Sequence, residues 1–119
     1  MGPMVKRRVL VVEDDFQVGL DIETTLSSAG FEVVGPLMTV DEAMERIDRS
    51  YFDVAVLDAN LNGQNVGCVA EALTAKRVPF AVVSGYAREF LPLALSHAPL
   101  IPKPFEAPRL LSLVQRICA

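Results

Sequence analysis

The chain predicts an α/β domain built on a parallel sheet, and three observations carry that prediction. Val9–Val12 and Val54–Leu57 are unbroken apolar runs with no polar alternation, as expected of strands buried on both faces. Stretches with apolar residues at helical spacing lie between the runs, so strands and helices alternate along the chain. The runs also end in polar residues, Glu13 and Asp14 after the first and Asp58 after the central one, where an open α/β sheet binds its ligand.

Taken in order, Val9–Val12 runs into Glu13-Asp14-Asp15. Phe16–Ala29 reads as a helix, with Val18, Ile22, Leu26 and Ala29 on one side and Gly30 as its stop. Glu32–Gly35 is a short strand that Pro36 should break. Thr39-Val40-Asp41-Glu42 matches a capping box and opens a helix with Val40, Ala43, Met44 and Ile47 on one face. Asp53–Asp58 is the central strand, followed by the turn residues Asn60, Asn62 and Gly63, and Val66–Lys76 is the third helix. Pro79–Val83 is a fourth strand ending in Ser84-Gly85-Tyr86. Pro92 interrupts Ala87–Ala98, so the element there should be short or irregular. Leu100-Ile101-Pro102 suits a sheet edge, where proline is tolerated. The last helix spans about Ala107 to Ile117, with Leu110, Leu113, Val114 and Ile117 at i, i+3, i+4 and i+7.

A length of 119 residues suits one domain with a real core, and 51% hydrophobic residues with mean hydropathy +0.34 suit a compact globule. No apolar run is long enough to span a bilayer, so no membrane role is expected. Met1-Gly2-Pro3 reads as a cloning remnant ahead of a domain over residues 4–119. The net charge is −4, and Lys6-Arg7-Arg8 is the only basic cluster, which excludes the basic face that nucleic-acid binding needs. Cys68 and Cys118 have no metal or redox spacing and are expected as buried small hydrophobes in a reducing cytoplasm. The lone His97 reads as a surface residue.

In a parallel sheet the strand ends share one edge. Glu13, Asp14 and Asp58 would then crowd one crevice with a single ammonium, Lys103. Two like charges about 4 Å apart repel by roughly 4 kcal/mol at an effective dielectric near 20, so the cluster needs protons or a cation. Hard oxygen donors without His or Cys favour Mg²⁺, with Mn²⁺ as a substitute. The competing readings are a turn cap for Asp58 and a solvated strand-to-helix turn for Glu13 and Asp14. A carboxylate beside a metal, with the Ser84 hydroxyl and the Lys103 ammonium aimed at the same point, suits phosphoryl transfer onto Asp58.

These residues carry a resemblance. VLVVEDD at the first strand, VAVLDANLNG around Asp58, VVSGYA at the fourth strand and IPKPF at the fifth resemble the receiver domain of two-component response regulators. The resemblance implies a flavodoxin-like (βα)5 fold with sheet order 2-1-3-4-5 and helices on both faces. It implies Asp58 as phosphoacceptor from a histidine kinase or phosphotransfer protein in the cytoplasm. Glu13 and Asp14 would be the acidic pair (Asp15 admits a misregister by one), and Asn60 would bind Mg²⁺ through its backbone carbonyl. Ser84 matches the family's hydroxyl position and Lys103 its lysine, with a cis Lys103–Pro104 bond. Gly85, Tyr86, Pro104 and Asn60 would modulate the switch. Two departures stand out: Pro99-Leu100-Ile101 lacks the usual fifth-strand aromatic, and Asn62 replaces a usual proline. Tyr86 is the candidate substitute for that aromatic.

PFAVVSGY further resembles an atypical subgroup with a Phe-Ala-Thr-Gly-Tyr signature, although Val82-Val83-Ser84 stands for Phe-Ala-Thr. Members of that subgroup are single-domain regulators of alphaproteobacteria that work with kinases of the HWE and related classes. The expected product is a switched protein surface rather than a turnover activity, with only slow self-dephosphorylation. The alternatives are a phosphate sink, a phosphorylation-independent binding module, and an Asp-nucleophile phosphohydrolase. The last is disfavoured because the candidate nucleophile lies on the third strand, with no inserted substrate cap.

Overall fold

Five parallel strands form a single sheet: β1 (Arg8–Val12), β2 (Glu32–Leu37), β3 (Val54–Asp58), β4 (Phe80–Ser84) and β5 (Leu100–Pro102), in the order β2-β1-β3-β4-β5. The computed structural model describes residues 6–118, so the expectation for Met1-Gly2-Pro3 lies outside the described residues. Side chains alternate across the pleat and supply two cores. Val9, Val11, Val54, Val56, Ala81 and Val83 face α1 (Phe16–Ser27) and α4 (Ala107–Cys118), where Ile22, Leu26, Leu110 and Val114 meet them. Leu10, Val12, Ala55, Leu57 and Val82 face α2 (Val40–Arg49) and α3 (Gly67–Ala75), through Ala43, Ile47, Val69 and Leu73. All five residues of β3 are buried, which is why that strand carries no alternation in the sequence.

Helix ends follow their capping chemistry. The Asp15 carboxylate accepts from the Val18 N–H at 3.1 Å, and the Thr39 hydroxyl accepts from the Glu42 N–H at 3.1 Å. At the far end of α2, the Lys76 ammonium donates to the carbonyls of Ile47 and Asp48, groups a helix C-terminus leaves unpaired. Gly30, at φ +96°, takes the left-handed conformation after α1.

Two expectations need correction. Pro36 does not break the second strand, which continues to Leu37. The register steps from Leu10–Val34 to Val12–Leu37, and Gly35 at φ +119° turns the chain where a Cβ would meet the Val11 carbonyl. Because β2 is an edge strand, a residue without an N–H is tolerated there. Cys68 and Cys118 are half-buried rather than buried, since each sits at the rim of a core.

The irregular element expected at Pro92 is present as two single 3₁₀ turns, Arg88–Phe90 and Leu93–Leu95, so the described residues carry four α-helices. Only Leu95 of these turns is fully buried, and it joins the core against α3. The remaining helix boundaries lie within two residues of the sequence reading. Among the described residues, no helix is long and apolar enough to cross a membrane.

Leu57→Ala is expected to lower the unfolding free energy by about 3 kcal/mol, because a fully buried methyl-bearing side chain leaves a cavity. Thr39→Ala should cost about 1 kcal/mol through the lost cap. Urea titrations that give similar midpoints for both variants would contradict this assignment of core and cap.

Candidate functional site

The C-terminal ends of β1, β3 and β5 bring their polar residues to one crevice of about 400 Å³, lined by Asp14, Asp58, Asn60, Asn62, Tyr86 and Lys103 among others. The Lys103 ammonium lies 3.0 Å from Glu13 Oε1 and 3.3 Å from Asp58 Oδ2. It therefore bridges the first and third strands from the end of the fifth. The Lys103 N–H donates to the Ser84 carbonyl at 2.8 Å, which fixes the lysine's backbone against β4. The Lys103–Pro104 bond is cis.

Each acid has its own environment. Asp58 is buried, and its Oδ1 accepts from the Asn60 N–H at 3.1 Å. Glu13 is 0% exposed, and its Oε2 accepts from the Asp15 N–H at 3.1 Å. Its other oxygen, Oε1, has the Lys103 charge nearby but no aligned hydrogen-bond donor among the described residues. Burial pushes the Glu13 carboxyl up to about 8, and the neighbouring Asp58 adds to the rise. The Asp15 N–H and Lys103 act the other way without cancelling it. Lys103 is raised: burial alone would lower it, but Glu13 and Asp58 outweigh burial.

Asp14 is half-buried at the crevice wall, and Glu13, Asp14 and Asp58 each offer an oxygen within 4.8 Å of the others. A buried oxygen without a donor, a proton held well above its ordinary range and an all-oxygen set without His or Cys together fit a hard divalent cation. Asp15 is spent on capping α1, so Glu13 and Asp14 are the acids that join Asp58 in this cluster.

Ser84 is buried at the end of β4, but its hydroxyl is turned to the chain ahead of it. It accepts from the Tyr86 N–H at 2.9 Å and donates to the Tyr86 carbonyl at 3.2 Å. Gly85 and Tyr86 line the crevice mouth, with Tyr86 60% exposed. The Asn60 side chain accepts from the Gly63 N–H at 2.9 Å and shapes the turn after Asp58. Asn62 sits at φ +50°, a conformation proline cannot take, which is the physical content of its replacing a proline there. The sequence reading missed the Leu37 carbonyl, which accepts from the Glu13 N–H at 2.9 Å and ties the acid to the edge strand. No local signal could have found it, because the partner depends on the strand running past Pro36. His97 is exposed and away from the crevice.

No family model matches the chain. The chain belongs to the receiver domains of two-component response regulators. It is 31% identical to the non-phosphorylated HemR receiver domain of Leptospira biflexa, with TM-score 0.80, covering 96% of this chain and 95% of that one. The fold is shared with the receiver domain of the sensor histidine kinase PA1611 of Pseudomonas aeruginosa PAO1, at TM-score 0.83, 21% identity and coverage of 96% and 98%. That structure has a magnesium ion coordinated in its active-site cleft. Among curated proteins, the transcriptional regulatory protein PdtaR of Mycobacterium tuberculosis is 27% identical over 88 residues, 73% of this chain and 43% of PdtaR. The chain thus spans less than half the length of that relative.

The buried Glu13 makes stability depend on pH. Its carboxyl is raised in the folded chain, so the folded state holds a proton that the unfolded state has released. Stability is therefore greatest below the ordinary carboxylate range and falls as pH rises from about 4.5 to about 8. Glu13→Gln should flatten that decline in chelator-treated protein. Denaturation midpoints that fall equally steeply in both proteins would assign the decline to other groups.

Proposed function

We propose that the chain is a phosphoacceptor: Asp58 takes a phosphoryl group from a phosphohistidine of a histidine kinase or phosphotransfer protein, and the modified site reshapes a protein-interaction surface. The observation that carries this reading is the Lys103 ammonium held between Glu13 and Asp58, with Asp14 in reach of the same point. An Asp58 oxygen attacks phosphorus, the P–N bond breaks, and the electron pair leaves on the imidazole, which takes up a proton. The carboxylate becomes a dianionic acyl phosphate. Lys103, already beside Asp58 Oδ2, pairs with a phosphoryl oxygen, and the Asn60 N–H holds the opposite carboxylate oxygen in place.

Glu13, Asp14, Asp58 and the backbone carbonyl of Asn60 would hold Mg²⁺, for which Mn²⁺ can substitute. When bound, the ion draws charge off the phosphoryl oxygens. In this reading Ser84 releases the Tyr86 backbone and donates to the phosphoryl group, and Gly85 gives the turn room to follow. Tyr86 then moves at the crevice mouth as the substitute for the missing fifth-strand aromatic, and Pro104 holds the loop after Lys103. Asn60 and Tyr86 flank the path of the water that slowly hydrolyses the product.

The reading assigns the chain to the cytoplasm, as a domain over residues 4–119, with no nucleic-acid partner of its own. It extends to the Phe-Ala-Thr-Gly-Tyr subgroup on the strength of Pro79-Phe80 and Gly85-Tyr86. A phosphate sink uses the same acceptor chemistry and differs only in having no target for the changed surface.

Incubation with acetyl phosphate and Mg²⁺ should add one phosphoryl mass, and chelation should stop the labelling. Asp58→Asn should abolish it with the fold retained. Lys103→Ala should slow it by roughly a hundredfold, the usual scale for losing one preorganised charge partner. Stoichiometric labelling of the Asp58→Asn protein would reassign the acceptor, and steady turnover of many phosphomonoesters would favour the phosphohydrolase.

A further inference from the structure

Arg88 is the one Lys or Arg between Ser84 and Ala98, the stretch where the fold carries two 3₁₀ turns instead of a helix. Its Nη1 donates to the Ser96 carbonyl at 2.6 Å and to the Ala98 carbonyl at 2.8 Å. One side chain therefore closes a span of ten residues onto itself. Two residues before it, the Tyr86 backbone holds both hydrogen-bonding functions of the Ser84 hydroxyl. At the far end, Leu95 is buried against α3, while Leu93 beside it stands 82% exposed at the edge of an apolar groove of about 960 Å³. That groove runs between α3, the second 3₁₀ turn and the starts of β4 and β5, away from the acidic crevice.

The internal bonds of the segment are short-range. Leu95 N–H donates to Pro92, Ser96 N–H to Leu93 and Ala98 N–H to Leu95, each reaching back three residues. Such turns do not carry a displacement along their length as a continuous helix does, because no bond in one spans the other. Between the two turns, Leu91 and Pro92 are extended. Arg88 bridges that joint.

We propose that Arg88 is the positioning residue that couples the Ser84–Tyr86 turn to the Leu93–Ala98 turn, so that the two respond to Asp58 as one body. Without the guanidinium, a change at the Ser84 hydroxyl stops at the Leu91–Pro92 joint. With it, displacement of the Tyr86 backbone carries Arg88 along, and Arg88 draws on the carbonyls of Ser96 and Ala98, residues that flank His97 at the apolar groove. Arg88 touches neither Asp58 nor Lys103 among the bonds described, so its loss should leave the acceptor chemistry in place. The proposal rests on the phosphoacceptor reading and concerns how that site is read out.

The test is amide hydrogen exchange on the full chain, with and without Mg²⁺ and beryllofluoride as a phosphoryl stand-in, for the natural sequence, Arg88→Ala and Arg88→Lys. In the natural sequence the stand-in should change exchange at both Ser84–Tyr86 and Leu95–Ala98. In Arg88→Ala the first response should persist and the second should vanish. Basal exchange at Ser96 and Ala98 should rise about tenfold, the scale of losing two modest hydrogen bonds from a locally opening segment. Arg88→Lys keeps one cationic donor and should restore part of the coupled response, which separates coupling from loss of fold. Equal responses at Leu95–Ala98 in Arg88→Ala and the natural sequence would overturn the coupling, as would a natural-sequence response confined to Ser84–Tyr86. Absence of any response near Asp58 in the natural sequence would instead overturn the phosphoacceptor reading beneath it.

Discussion

Everything at the crevice answers to one electrostatic constraint: three carboxylates and one ammonium meet where the strands end. Parallel strands all finish on the same edge, so residues far apart in sequence have no means of avoiding one another there. Lys103 takes the position of greatest attraction, between the buried Glu13 and the buried Asp58. A single positive charge cannot neutralise three acids, and the imbalance is absorbed at the most buried of them. Glu13 holds its proton up to about 8, because burial removes the water that would otherwise stabilise its charge. The same imbalance gives a divalent cation a reason to bind, since it would replace that proton with two units of charge.

The backbone prepares this cluster before any ligand arrives. Glu13 is held from both sides, its own N–H on the Leu37 carbonyl and its carboxylate on the Asp15 N–H. Asp58 is the last residue of a strand buried along its whole length, and its side chain is oriented by the Asn60 N–H. Lys103 is pinned through the Ser84 carbonyl. Each group thus reaches the crevice from a rigid element with a second contact fixing its direction. That is the condition under which electrostatic groups act without reorganising. Ser84 is the exception, because its hydroxyl is engaged with the Tyr86 backbone and must rotate to take any other partner.

What the sequence disclosed follows from how far each signal reaches. Val9–Val12 and Val54–Leu57 announced themselves because burial on both faces demands continuous apolar side chains, and the α2 cap because Thr39 and Glu42 are three residues apart. The strand ends were legible as candidates because Glu13, Asp14, Asp58, Ser84 and Lys103 each end or follow a strand, and parallel strands end on one edge; any one of them alone reads equally well as a turn or cap residue. The second strand was misread at Pro36, since the rule against proline in strands weakens at an edge, and the residues around Pro36 carry no local sign of the edge position that the order 2-1-3-4-5 gives that strand. Half-burial of Cys68 and Cys118 was equally hidden, because helical periodicity locates a face but not the rim of a core. Arg88 left no pattern at all. Its partners are backbone carbonyls, which every residue owns.

The stretch from Tyr86 to Ala98 differs from the rest of the fold in what holds it. Four helices cover the sheet with packed apolar faces, whereas here only Leu95 is fully buried in a 3₁₀ turn, and Phe90 and Leu93 stand 73% and 82% exposed. A segment with few buried contacts and short-range bonds sits at the low-stability end of a domain, where small free energies change its arrangement. Rigid packing around β3 and weak packing after β4 are therefore complementary. The first keeps the charges of the acidic cluster from relaxing away from one another, and the second leaves the neighbouring segment with little packing to hold it. A continuous helix at the same place would bind its residues to each other more tightly, and rearranging it would take correspondingly more energy. Pro92 precludes such a helix interior, and the bonds of Arg88 to Ser96 and Ala98 are, among the described residues, the ones that cross from the first 3₁₀ turn to the second.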